Sequence, residues 1–194
     1  MKVFIVYCHP GEDSFTGHLR DSFIKGLLSA GHSYTISDLY KMNFCSDMSG
    51  DEYNREAYYR REEKIPSDVL DEHKKINACD AIVFIYPVFW SEAPAKLVGW
   101  FDRVWTFGFA YGENRGMKQL EKALVLVSAG NTAQYFETTG IGAAMKKIFL
   151  DDRIFDRAKQ KEMIIFDATS RELEERKSNC DKHLKKAFET GVTI

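Results

Sequence analysis

A near-continuous apolar run, Ala81-Ile82-Val83-Phe84-Ile85-Tyr86, leads directly into the turn Pro87-Val88-Phe89-Trp90-Ser91-Glu92-Ala93-Pro94. An unalternated apolar run is typical of a parallel strand that is buried on both faces. The two prolines end the strand and stiffen the turn that follows it. Open α/β sheets bind their ligands beyond the carboxyl ends of strands. We therefore predict a rigid apolar slot, shaped by Phe89 and Trp90, that suits a planar heterocycle.

Strand-like and helix-like segments alternate along the rest of the chain. The predicted strands are Lys2–Tyr7, Ser33–Leu39, Ala81–Tyr86, Ala123–Ser128 and Met163–Ala168. The predicted helices begin near Ser14, Ser67, Ala95, Thr138 and Ser170. This alternation favours an α/β fold in which a parallel sheet is covered on both faces. Five such units fit the strand order 2-1-3-4-5.

Two insertions interrupt this alternation. The stretch Lys41–Lys64 is polar and tyrosine-rich, and its part Asp51–Lys64 has the character of an additional helix. The stretch Trp100–Tyr111 holds six aromatics, and its second half predicts an extended segment with one aromatic face. That excess of aromatics favours a homodimer, although a large buried core is the alternative.

Size and composition indicate one soluble globular domain, residues 1–194, with 44% hydrophobic residues. The net charge of −2 gives no reason to expect nucleic acid or a membrane surface as a partner. The sequence contains no apolar run long enough to span a membrane, and we expect no leader. It has no zinc-ligand spacing, so no metal is expected. Cys8 and Cys79 are predicted to be buried, and the cysteine pattern favours a reducing cytoplasm.

Two further loops follow strands at the same predicted sheet edge. His9 and the segment Ser14-Phe15-Thr16 lead into the first helix, where backbone N–H groups attract phosphate. The alternative is that Ser14 serves only as the cap of this helix. After the fourth strand, Ser128-Ala129-Gly130-Asn131 lets a ligand approach the backbone, and Tyr135 offers a phenol donor, unless this is an ordinary glycine turn. An anion cradle beside a flat slot predicts a flavin nucleotide.

Other polar groups carry no predicted chemistry. His73 and His183 lie in charged helical segments and are expected to be exposed. The carboxylates Asp151, Asp152 and Asp156, and the charged run Arg171–Lys177, are expected to form solvated faces.

Over about residues 1–180 the chain resembles the NAD(P)H:quinone oxidoreductase family of flavodoxin-like flavoproteins. The resemblance is strongest in His9 with Ser14-Phe15-Thr16, in residues 37–44 and in the Pro87–Pro94 turn, together with Gly99-Trp100-Phe101-Asp102-Arg103-Val104 and Phe109-Ala110-Tyr111. It implies a flavodoxin-like three-layer sandwich, a homodimer with one flavin per subunit, and hydride transfer from NAD(P)H to a quinone-like acceptor.

Residue roles follow from the same resemblance. The pyrophosphate would be held by His9, Ser14, Phe15 and Thr16, and the flavin ring would be lined by Pro87, Val88, Phe89, Trp90, Ser128, Ala129, Gly130 and Asn131. Arg176 aligns with a contact to the adenine end of FAD, which favours FAD over FMN. Tyr111 would reach the partner's pocket, with Phe136 at the family's tyrosine position. Trp90 and Tyr135 are the candidate catalytic residues, Tyr135 as donor toward the reduced ring.

One departure from the family pattern is Gly142, which stands where mammalian members carry a histidine. The long C-terminal extension of those members is also expected to be absent. Two alternatives to an enzyme are a flavin-binding, redox-sensing regulatory subunit of a membrane transport system and a one-electron carrier of flavodoxin type. The aromatic rather than acidic loop after the third strand disfavours the carrier.

Overall fold

The computed structural model of the protein describes residues 1–174 and 176–194. Its strands are β1 (Lys2–Tyr7), β2 (Ser33–Asp38), β3 (Ala81–Pro87), β4 (Leu120–Ser128) and β5 (Ala158–Phe166). Its α-helices are α1 (Phe15–Ser29), α2 (Gly50–Ala57), α3 (Ser67–Ala78), α4 (Ala95–Val104), α5 (Ala133–Thr139), α6 (Ile141–Lys146) and α7 (Arg176–Val192). A π-helical segment, Lys147–Ile154, continues α6.

The five strands form one parallel sheet in the order β2-β1-β3-β4-β5, which confirms the predicted fold class and strand order. Tyr7 pairs with Asp38 and Ile85, and Ser128 pairs with Pro87 and Phe166. The carboxyl ends of all five strands therefore meet at one edge of the sheet.

The sheet is covered on both faces, because neighbouring residues of each strand point in opposite directions. Phe84 and Tyr86 belong to one apolar cluster with residues of α3 and α4. Val83 and Ile85 belong to a second cluster with residues of α1 and α7. Every residue of β3 is buried, as its apolar run predicts.

Several predicted boundaries were wrong. β5 begins at Ala158, because an edge strand accommodates the polar residues Lys159–Glu162. The helix expected near Thr138 is instead α5, capped by Thr132, and it ends at Gly140 with a φ of 73° before α6 begins. The last helix is described from Arg176, not from Ser170, and Glu175 of the predicted Arg171–Lys177 run lies outside the described residues.

The second half of the segment Trp100–Tyr111 is not extended, which corrects the prediction. Two hydrogen bonds to the Thr106 carbonyl, from the N–H groups of Phe109 and Ala110, fold it into a tight turn. Trp100, Phe101 and Phe109 are buried. The core takes up three of the six aromatics and Trp105 packs against it, so the aromatic excess alone no longer argues for a dimer.

The expected exposure of two histidines was also wrong. His73 is buried, its Nε2 lies 2.8 Å from the Val104 carbonyl, and its ring stacks on Phe109 at 3.6 Å between centroids. His183 is half-buried, with Nε2 2.9 Å from the Asp167 carbonyl. Cys8 and Cys79 are buried, as predicted.

Replacing Gly191 with alanine is expected to lower the free energy of unfolding by about 2 kcal/mol, through overpacking between α1 and α7. A Cβ on Gly191 would lie 2.2 Å from the Phe23 carbonyl oxygen, and a Cβ on Gly26 would lie 2.1 Å from the Phe188 carbonyl oxygen. Both clashes are with backbone, so the helices must separate. Urea unfolding measures the loss, with Gly50→Ala, whose added Cβ meets no atom within 4 Å, as control. Equal stability of the two variants would contradict this packing.

Candidate functional site

The loop between β1 and α1 has the features of an anion cradle. Ser14 caps α1, since its Oγ accepts a hydrogen bond from the Gly17 N–H at 3.0 Å. The capping role left open by the sequence is therefore confirmed. The first turn of a helix also leaves N–H groups without intrahelical partners. A positive dipole end and several donors thus face the same space.

His9 adds a side-chain donor to this loop. Its Nδ1 lies 2.9 Å from both the N–H and the carbonyl oxygen of Gly11. The loop therefore holds Nδ1, and Nε2 is the ring nitrogen that would meet an anion.

The loop after β3 makes a tight hairpin turn, which we call the β3 turn and define as Phe89–Glu92. Phe89 and Glu92 pair by two backbone hydrogen bonds of 2.8 and 2.9 Å. The two central residues, Trp90 and Ser91, have φ values of 51° and 64°. Positive φ at both central positions is typical of type I′ turns, where glycine or asparagine is usual. For other residues this conformation costs roughly 1 kcal/mol each.

The aromatic side chains of the β3 turn are open to solvent. Phe89 has an exposed fraction of 45%, and Trp90 is fully exposed. Within a single chain the expected slot is therefore an open aromatic surface rather than a closed pocket. A strained turn that presents large apolar side chains to solvent is a feature of ligand and partner sites.

The loop after β4 joins these two loops directly. Ser128 Oγ and Thr16 Oγ1 are 2.8 Å apart in a buried hydrogen bond. The Ser128 carbonyl also accepts the Val88 N–H at 2.9 Å. One residue of β4 therefore fixes both the start of α1 and the approach to the β3 turn.

Beyond Ser128, the loop presents a largely exposed surface. Gly130, Asn131 and Tyr135 are exposed, while Ala129 and Phe136 are buried. The rings of Tyr135 and Phe136 meet edge to face at 5.7 Å. Gly142 lies against Phe136, and a Cβ there would be 3.1 Å from the Phe136 Cβ. This close packing beneath Phe136 favours glycine at position 142, where the resemblance expects histidine.

A fourth loop, which follows β5, lies at the same edge of the sheet. It was not predicted from the sequence as part of the site. Thr169 binds the Ala129 carbonyl through both its N–H and its hydroxyl, at 3.0 and 2.9 Å. Arg176 Nε donates to the Thr169 carbonyl at 3.1 Å. Arg176 then lines a cleft of about 410 Å³ together with Ser14, Phe15 and Arg171. The structure thus brings Arg176 and the anion cradle to one cleft, although Ser14 and Arg176 are 162 positions apart in the chain (176 − 14).

Tyr111 lies apart from these loops and is tied to the first insertion. Its hydroxyl donates to Glu56 Oε2 at 2.8 Å, and the Phe107 N–H donates to the same oxygen at 2.7 Å. Burial and the Glu56 carboxylate raise the pKa of Tyr111. Arg103 anchors the insertion further through Glu52 at 2.7 Å, and Arg103 is itself held by Asp68 of α3 at 2.6 Å.

One ion pair that holds the β3 turn had no signal in the sequence. Glu92 was only part of the turn, and Arg153 lies in the π-helical segment. They form an ion pair at 2.9 Å. A pairing between residues 61 apart in the chain could not be read from local patterns.

Residues 1–174 and 176–194 show neither a metal-binding cluster nor a membrane-spanning helix. There is no cluster of three or more potential metal ligands in this part of the chain. No described helix combines the length and the apolar character that crossing a bilayer requires.

Comparisons with known proteins agree with this architecture. The family described as having a "Flavodoxin-like fold" matches residues 1–188. An NAD(P)H:quinone oxidoreductase from Methanothermobacter marburgensis is similar in structure, with a TM-score of 0.93 and 42% sequence identity, over 100% of this chain and 96% of that one. Human ribosyldihydronicotinamide dehydrogenase [quinone] is 36% identical over 159 residues, which cover 72% of this chain and 68% of the relative. Rat NAD(P)H dehydrogenase [quinone] 1 is 29% identical over 164 residues, or 76% of this chain and 60% of the relative.

Proposed function

Since this chain belongs to the flavodoxin-like family of NAD(P)H:quinone oxidoreductases, we propose that it is a flavin-dependent enzyme that oxidises NAD(P)H and reduces a quinone or a similar two-electron acceptor. One observation carries this proposal. The buried Thr16–Ser128 hydrogen bond joins an anion cradle to the loops that would hold a flat ring. Phosphate and ring are the two parts of a flavin nucleotide.

The residues of the edge fit such a cofactor. His9, Ser14, Phe15 and Thr16 would hold the pyrophosphate through the donors and the helix dipole described above. The ring would lie on the backbone of Pro87–Trp90, with Ser128, Ala129, Gly130 and Asn131 along its other side. The exposed aromatic surface of the β3 turn supports this arrangement, because it is apolar and unfilled within the chain.

The chemistry that a flavin supplies when bound is two-electron transfer from a reduced nicotinamide to an acceptor. The side chains contribute position and electrostatics. Trp90 would stack against the ring or its substrates and exclude water. Tyr135, which is exposed at the same edge, would donate a hydrogen bond toward negative charge on the ring. Phe136 would shape the substrate pocket, and Tyr111 would reach into the pocket of the partner subunit.

We propose FAD in preference to FMN. The cleft of about 410 Å³ that contains Ser14 and Arg176 extends beyond the phosphate cradle, and it offers room and a cation for the second half of a dinucleotide. Chromatography of the flavin released from purified protein by heat distinguishes the two cofactors. FMN alone would exclude this use of Arg176.

We also propose that the protein works as a homodimer in the cytoplasm. Trp90 and Phe89 are apolar and open to solvent beside the site, where a second subunit would cover them. All four cysteines are free thiols, which suits a reducing compartment. The relatives described above are dehydrogenases and oxidoreductases, so the regulatory-subunit alternative is not proposed.

The test is spectroscopic and uses the full-length protein. Purified protein is expected to show a flavin absorption band that bleaches when NADPH is added without oxygen and recovers when a quinone follows. Protein that takes up neither FAD nor FMN, or holds flavin that NADPH and NADH cannot bleach, would overturn the proposal.

A further inference from the structure

The β3 turn has little packing of its own to hold it. Trp90 is fully exposed, Phe89 is nearly half exposed, and two consecutive non-glycine residues have positive φ. Such a conformation persists only when its surroundings determine it. Within the described residues, the side-chain hydrogen bonds that reach the turn from elsewhere converge on Glu92.

Glu92 links the turn to the body of the protein through one carboxylate. Its Oε1 accepts from the Ala93 N–H at 2.8 Å and from Arg153 Nη1 at 2.9 Å. Arg153 Nη2 lies 3.4 Å from the other oxygen. A guanidinium that meets both oxygens fixes direction as well as distance.

Arg153 is itself held from three sides. Its guanidinium lies 4.6 Å from the ring centre of Phe149 and 5.2 Å from that of Phe101. Its carbonyl accepts the indole N–H of Trp105 at 2.7 Å. The Arg153 side chain has an exposed fraction of 15%, so its cation is partly desolvated, whereas Glu92 has an exposed fraction of 38% and solvent screens the pair in part. The π-helical geometry of residues 147–154 sets this position.

The strand end beneath the turn is also polar. The Tyr86 hydroxyl is buried and has no hydrogen-bond partner among the described residues, and its ring stacks on Phe149 at 5.2 Å. Burial raises the pKa of the Tyr86 hydroxyl; the Glu92 charge raises this pKa further, and the Arg153 charge lowers it.

We propose that Glu92 and Arg153 form a clamp that positions the β3 turn for flavin binding. This inference rests on the proposed function. Both are positioning residues, since they act through the backbone of Phe89–Glu92. Because the side chains of the turn add little to the core, the clamp is expected to govern ligand affinity more than global stability.

The experiment compares Glu92→Gln, Arg153→Ala and the double variant with the wild type. Arg115→Ala is the matched control, because Arg115 pairs with Asp156 at 2.6 Å before β4, at the opposite edge of the sheet. FAD and FMN dissociation constants are measured on protein stripped of flavin. Visible circular dichroism of the bound flavin and amide hydrogen exchange of residues 88–93 report on the turn itself, and thermal unfolding reports on the fold.

Each clamp variant is expected to bind flavin about tenfold more weakly, a change equivalent to about 1.4 kcal/mol. The double variant should lose no more than either single variant, since both remove one contact. Arg153→Lys should recover part of the affinity, and Arg115→Ala should stay within about twofold of the wild type. Faster exchange at residues 88–93 and an altered dichroism with an unchanged unfolding midpoint would support positioning.

Wild-type affinity and dichroism in Glu92→Gln would overturn the clamp and leave the proposed function intact. Because Arg153 also packs on two aromatics, Arg153→Ala could unfold, and Glu92→Gln decides in that case. A wild type that binds neither flavin would overturn both proposals.

Discussion

Replacing Trp90 with alanine is expected to weaken flavin retention by roughly a hundredfold, or about 2.7 kcal/mol, and to leave the unfolding temperature unchanged. The exposed fraction of Trp90 is 101%, so the indole adds nothing to the core of the single chain. If the flavin ring lies on the β3 turn, the indole is the largest surface available to cover it. The measurement is the flavin dissociation constant, by fluorescence titration of stripped protein.

A matched control separates this effect from general loss of apolar surface. Leu28, in the last turn of α1 and at the other edge of the sheet, is also exposed, and Leu28→Ala should change neither flavin affinity nor stability. If Trp90→Ala keeps wild-type flavin affinity but shifts the oligomeric state in gel filtration, the indole belongs to a subunit interface and its placement over the ring is wrong.

The sheet was predictable because its information is local. Strands buried on both faces must be apolar throughout, and the runs in β1, β3 and β4 meet that requirement. The cap at Ser14 and the proline that precedes α4 are also local signals. These features fix which loops reach the carboxyl edge, and so the general place of the site.

The contacts that shape the site were not predictable, because they join polar residues far apart in the chain. Thr16 and Ser128 are 112 positions apart, and neither carries a sign of its partner. The Glu92–Arg153 pair has the same character. β5 and the loop after it were misplaced because the strand is at an edge and carries polar residues, which removes the apolar signal.

His73 shows how tertiary packing overrides a local pattern. Its neighbours in sequence, Glu72, Lys74 and Lys75, are charged, and they indicated a solvated helix face. Glu72 is nevertheless fully buried and accepts hydrogen bonds from Ser37 and Trp100, both at 2.8 Å. The face of α3 that contacts α4 is therefore partly polar. A prediction from residue type alone wrongly assigned this face to solvent.

The burial of His73 is expected to make the fold less stable by about 3 kcal/mol as the pH falls from about 6.5 to about 4. Burial lowers the pKa of His73 from 6.5 to about 4, and its Nε2–H donates to the Val104 carbonyl in the neutral form. Between these pH values the unfolded chain binds the proton and the folded chain does not, so acid favours unfolding. Above pH 6.5 both states are neutral, and the effect is absent.

Urea unfolding of the wild type and of His73→Gln between pH 7 and pH 4.5 isolates this contribution, because the carboxylates titrate in both proteins. The glutamine keeps an N–H donor for the Val104 carbonyl but takes up no proton, so its stability should fall less steeply with acid. Parallel stability curves for the two proteins would mean that His73 is protonated in the folded state. The ring stacked on Phe109 would then be an imidazolium cation. The turn that leads to Tyr111 would not require a neutral His73.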